Sequence, residues 1–171
     1  MSKDLRYSGS GSGTCIIDTE GRGLIKADKA GPAPWARRLG FGGLIPFLGL
    51  AVALWVARPG DWPLAWMSLL GYGAIIASFL GAIHWGLVMR DGPDQYLPSL
   101  LWGVVPSLLG WVGLLLGPAP GLLLIAALLW TCFAVDRVLY PRHQLQAWLP
   151  MRRRLTLVAS ISCLAGAAAL W

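Results

Sequence analysis

Five long apolar runs, separated by short polar segments, constrain this chain more than any other feature. They cover about 39–57, 64–89, 99–117, 120–140 and 155–171. A helix that crosses the hydrocarbon of a bilayer needs about 20 apolar residues. Each run meets or approaches that length, and the fifth is the shortest. Lipid leaves the backbone two ways to satisfy its polar groups, helices or a closed barrel. Strict apolar–polar alternation, the mark of a barrel strand, is absent. The expected fold is therefore all-α, a membrane bundle of five transmembrane helices. Only 13% of residues are charged, against about 25% in a soluble domain. So few charges cannot coat a globule of this length.

Cationic residues set an orientation. Lys3, Arg6, Arg22, Lys26, Lys29, Arg37 and Arg38 precede the first run, and Arg90 follows the second. Arg137, Arg142, Arg152, Arg153 and Arg154 lie between the fourth and fifth. With five spans all of these share one side, and only Arg58 falls on the other. The positive-inside rule then predicts N-in and C-out. This placement explains the basic balance as topology, and no nucleic-acid partner is expected. Most tryptophans fall near run ends, at headgroup level. Trp111 and Trp130 lie deeper and are expected to pack between helices.

Residues 1–36 read as a flexible polar cytoplasmic tail, ahead of a transmembrane domain over 37–171. The tail carries the Gly/Ser tether Ser8–Gly13 and too few apolar residues to offset the entropy of ordering. It lacks the apolar stretch of a cleavable signal peptide. The three cysteines, Cys15, Cys132 and Cys163, show no CxxC spacing, so neither a disulfide framework nor a zinc site is expected.

The first and third runs resemble each other, with Pro46 and Pro106 each eight residues in. Proline there removes a backbone donor and kinks a helix. If the second and fourth runs also superpose, His84 falls opposite Asp136. The chain then reads as a parallel repeat of two helical hairpins plus one helix. Shared apolar composition explains the likeness equally well.

His84 is the histidine inside a span, and Asp136 lies near the inner end of the fourth. At 1.5 Å per residue their depths should agree within about one turn. Together with Ser78 and Tyr72 they form the candidate polar site. An Asp–His pair can hold a tautomer, relay a proton or bind a polar headgroup. Equally, His84 can bond a carbonyl of a neighbouring span, and Asp136 can pair with Arg137 or Arg142. Gly73, Ala77 and Gly81 form a small-xxx-small stripe that lets another helix approach closely. The Arg152–Arg153–Arg154 run is expected at the headgroups, where it orients the chain and attracts anionic lipid.

Haem would need His84 with His143, or His84 twice in a dimer, and no cofactor is expected. No metal site, P-loop, dinucleotide fingerprint or nucleophile–base pair is evident, so the chain is not expected to be an enzyme.

The stretch Tyr72–Ile76 with Ser78-Phe79-Leu80-Gly81-Ala82-Ile83-His84-Trp85-Gly86 resembles the signature of the transmembrane protein 69-like family. These are bacterial and mitochondrial membrane proteins carrying a domain of unknown function. Pro106-Ser107-Leu108, Asp136 and Leu155-Thr156 are similar too. The resemblance covers about 39–171. Trp148–Arg154 departs from it, since a Trp-Tyr pair is expected there. The resemblance implies a multi-pass protein of an inner or plasma membrane and brings no activity with it. The expected role is packing, assembly or accessory, with a membrane-protein partner or a homo-oligomer. The alternative is a small-solute or proton-linked carrier using His84 and Asp136.

Overall fold

The computed structural model describes residues 6–8, 15–17, 23–25, 31–56, 58–91 and 97–171. Three strands of three residues, β1 (Arg6–Ser8), β2 (Cys15–Ile17) and β3 (Gly23–Ile25), pair antiparallel in that order. Most of residues 1–30, including 9–13 of the tether, lies outside the described residues. The reading of that segment as a flexible tail lies there too.

From Gly31 onward the regular structure among the described residues is helical: α1 (Pro34–Gly42), α2 (Ile45–Val56), α3 (Trp62–Asp91), α4 (Leu97–Leu115), α5 (Pro118–Leu139) and α6 (Leu149–Ala169). Among the described residues four helical stretches are long and apolar enough to cross a membrane: α1 with α2, α3, α4, and α5 with the turn after it. The last helix, α6, carries three arginines in its first two turns, and its apolar part from Leu155 to Ala169 is short of that length.

The first span is broken where the sequence suggests a kink. Pro46 has no N–H, and its ring would collide with the carbonyl of Gly42 in a continuous helix. The backbone responds by turning at Gly43 and Leu44 and starting α2 at Ile45, so Pro46 lies in a first turn, where no donor is missed. The Tyr72 hydroxyl donates to the carbonyl of Gly43 at 2.9 Å. Pro106, by contrast, is buried inside a continuous α4. The two prolines thus sit in different local structures, which removes one basis for a repeat of the first and third runs.

α3 packs against α2, α4, α5 and α6. Its 30 residues make a helix of about 45 Å, longer than the hydrocarbon is thick. The stripe of Gly73, Ala77 and Gly81 is buried along it. A Cβ on Gly81 would fall on the carbonyl oxygen of Gly103 in α4, and one on Gly73 would lie 2.7 Å from Ile125 in α5. Small residues here set how closely three helices meet. The turn from α4 to α5 is tight: Gly117 takes φ 86° and Pro118 starts the next helix.

The partition of side chains is inverted relative to a water-soluble protein. His84, Asp136, Arg152, Thr156, Ser160 and Ser162 are buried, while Ile75, Phe79, Leu101, Leu108 and Ile161 are exposed. Trp111 and Trp130 are 59% and 41% exposed, which corrects their expected place between helices. An outward indole costs little where the surroundings are lipid tails.

Candidate functional site

The site grows from the hairpin of α5 and α6. Asp136 lies one turn before the end of α5. The chain then makes a short 3-10 turn, Tyr140–His143, and reverses at Gln144, which takes φ 58°. Leu145 donates its N–H to the Tyr140 carbonyl at 2.8 Å and closes the reversal. α6 opens at Leu149 with Pro150 in its first turn, six residues before the apolar run. That early start places the arginine triplet on helix, where successive side chains are 100° apart. Arg152 therefore points inward and is buried, while Arg153 and Arg154 are exposed.

Arg152 donates to a single oxygen of Asp136, Oδ2, from Nε at 2.9 Å and from Nη2 at 2.6 Å. Neither group could be held charged in this interior alone. Asp136 is 1% exposed and Arg152 8%, and an unpaired ion at such depth costs several kcal/mol (roughly). The guanidinium also sits in the first turns of α6, where the helix dipole repels a cation. Asp136 offsets both penalties. Two expectations are corrected here. Asp136 pairs with neither Arg137 nor Arg142, both of which are exposed. Arg152, expected to offer its charge outward to anionic lipid, is instead buried with that charge committed to Asp136.

His84 comes from α3 and is 2% exposed. Its Nε2 lies 3.6 Å from Asp136 Oδ1. That is an electrostatic contact beyond hydrogen-bond length. Both of its ring nitrogens are buried with no hydrogen-bond partner among the described residues. Asp136 Oδ1, Thr156 Oγ1 and Ser160 Oγ are likewise buried with no hydrogen-bond partner among the described residues. Three helices, α3, α5 and α6, thus converge on one carboxylate.

Ser78 and Tyr72 are occupied elsewhere. Ser78 donates to the carbonyl of Ala74 in its own helix at 2.9 Å, and Tyr72 caps the break between α1 and α2 while packing edge-on against Phe47, 5.0 Å between ring centroids. Arg152, Thr156 and Ser160 were missed as site residues. The inward phase of Arg152 depends on where α6 begins, and that start is marked only by Pro150. Among the described residues no three His, Cys, Asp or Glu cluster closely enough to hold a metal. Cys132 and Cys163 are buried free thiols.

Beside Arg152 lies a cavity of about 390 Å³ bounded by α1, α2, α3, α5 and α6. Its walls are apolar apart from a few groups, among them Arg152 and Thr156.

Apolar helices of spanning length, a polar interior and an ion pair held away from water define a helical membrane protein. The chain belongs to the family described as "Protein of unknown function (DUF3429)", whose pattern matches residues 32–168, and it is a transmembrane protein 69-like member. It is 31% identical to "Transmembrane protein 69" of Xenopus tropicalis over 148 residues, 83% of this chain and 56% of that protein. It is also 36% identical over 95 residues to "Protoheme IX farnesyltransferase 1" of Pseudomonas aeruginosa, covering 54% of this chain and 29% of the enzyme. The chain therefore spans little more than half of the first relative and under a third of the second. No solved structure matches.

Proposed function

We propose that the protein is a five-span bundle of a bacterial plasma (inner) membrane with a non-enzymatic packing, assembly or accessory role. The carrying observation is that Asp136 and Arg152 neutralise each other in a nearly sealed interior. A paired charge of this kind fixes how helices register, which suits a scaffold. The transfer activity named for the Pseudomonas relative is not carried over, because the chain matches only 29% of that enzyme.

The pattern of α6 supports its counting as the fifth span. Leu157, Ile161 and Leu164 face outward, while Thr156, Ser160 and Cys163 face the bundle. An apolar outer face suits lipid, and Trp171 at the end suits the far headgroups. An odd number of spans puts the termini on opposite sides, and the cationic segments then favour N-in and C-out. Arg37 of α1 and Arg154 of α6 border one surface hollow, in keeping with a shared cytoplasmic end. Arg153 and Arg154 remain the residues for anionic lipid.

One observation favours the carrier reading. His84 and Asp136 Oδ1, 3.6 Å apart, and Thr156 and Ser160 carry buried polar atoms with no hydrogen-bond partner among the described residues, and such atoms can accept a proton or solute. Vesicles with a trapped pH-sensitive dye separate the two readings. The packing role predicts no proton flux above that of empty vesicles. A flux that His84→Ala abolishes would establish the carrier.

A further inference from the structure

Arg37 of α1 and Arg154 of α6 are far apart in the sequence and border one surface hollow of about 310 Å³. Both are exposed, and neither is paired with a carboxylate among the described residues. No Asp or Glu is among the described residues that line the hollow. Pro150 and Met151, in the first turn of α6, line it as well, so the positive end of that helix dipole adds to the same sign. Two like charges brought to one hollow repel each other, and an anion between them turns the repulsion into attraction. The neighbouring arginines are disposed differently. Arg38 lies over the Trp35 ring, 4.9 Å from its centroid. Arg152 is committed to Asp136, and Arg153 is exposed outside the wall of the hollow.

The remaining wall bears on what the anion is attached to. Phe41, Met151, Pro32 and Pro150 supply apolar surface. On the same helix as Arg37, Trp35 and Leu39 are 70% and 75% exposed, an outward apolar surface suited to lipid near the headgroups. A guanidinium holds phosphate oxygens through its fork of N–H donors, and apolar wall beside that fork suits an acyl chain. A phospholipid uses both features, whereas a free phosphate ion uses only the arginines.

We propose that this hollow binds an anionic phospholipid, with the phosphate on Arg37 and Arg154 and the upper part of an acyl chain on Phe41 and Met151. The assignment rests on reading the α6 arginines as the contact with anionic lipid; it adds Arg37 and sets Arg154 apart from Arg153. A zwitterionic lipid carries the same phosphate, but its own ammonium cancels the charge that the two guanidiniums match.

The test uses the full chain in mild detergent at physiological salt, where diffuse attraction between exposed charges is largely screened. Fluorescence anisotropy of tail-labelled phosphatidylglycerol and phosphatidylcholine, with identical chains, reads the two affinities. Phosphatidylglycerol should bind about tenfold more tightly. Arg37→Gln and Arg154→Gln should each weaken it about tenfold, as loss of a charge-assisted hydrogen bond does. Arg142→Gln and Arg153→Gln, exposed and outside the hollow, should change it less than about twofold. All four positions are exposed, so melting without lipid should match wild type. Equal weakening by all four variants overturns the site and leaves the arginines as a diffuse contact with anionic lipid. Equal binding of the two lipids by wild type overturns the site and the anionic-lipid reading together. Displacement of the labelled lipid by millimolar inorganic phosphate overturns the lipid as occupant in favour of a soluble phosphate.

Discussion

Three adjacent arginines in this chain do different work, and the reason is helical phase. Arg152 is buried against Asp136, whereas Arg153 and Arg154 are exposed. Truncating Arg152 would leave a carboxylate alone in an apolar interior. Arg152→Met should therefore lower unfolding stability in mild detergent by about 3–5 kcal/mol. Arg153→Met, one position on, should change it by less than about 0.5 kcal/mol. Equal losses at the two positions would mean that the triplet acts by net charge. The polar partners His84 and Asp136 were legible in the sequence, because ionisable groups stand out in apolar runs. Arg152 was not, because a basic triplet between spans reads as interface until the start of the helix is known.

Contacts between helices here are set by residues that lack side chains. At Gly81 any Cβ meets the backbone of Gly103, which cannot move aside without moving α4. Gly81→Leu should cost about 1–3 kcal/mol of stability through overpacking. Gly86→Ala in the same helix faces open space and should be near neutral, with thermal melts in detergent reading both. The break between α1 and α2 depends on Tyr72 as well as Pro46. Tyr72→Phe removes the hydroxyl that bonds the Gly43 carbonyl and should cost about 1 kcal/mol, seen also as faster amide exchange around residues 43–48. The proline announced a distortion in the first span but not its form. The neighbouring glycine pair and the reach of Tyr72 turned a kink into a break, while Pro106 remained inside continuous helix. The glycine stripe was legible as small residues at helical spacing, whereas its two partners, α4 and α5, depended on tertiary packing.

For the molecule as a whole, length and apolar character expressed four spans plainly. The fifth rests on the apolar outer face of α6 and on the charge asymmetry. Tags at the two termini should lie on opposite sides of the membrane: in intact spheroplasts, external protease should remove a C-terminal tag and spare an N-terminal one. Equal protection of both tags would mean an even number of crossings. The central claim, that one buried ion pair locks α5 to α6 beneath α3, is tested most directly by a double-mutant cycle in mild detergent. Arg152→Met, Asp136→Leu and the double variant are unfolded beside the wild type. The account predicts a loss of about 3–5 kcal/mol in each single variant and a double variant close to wild type, because two apolar side chains strand no charge. Losses in the double variant equal to the sum of the singles would contradict it.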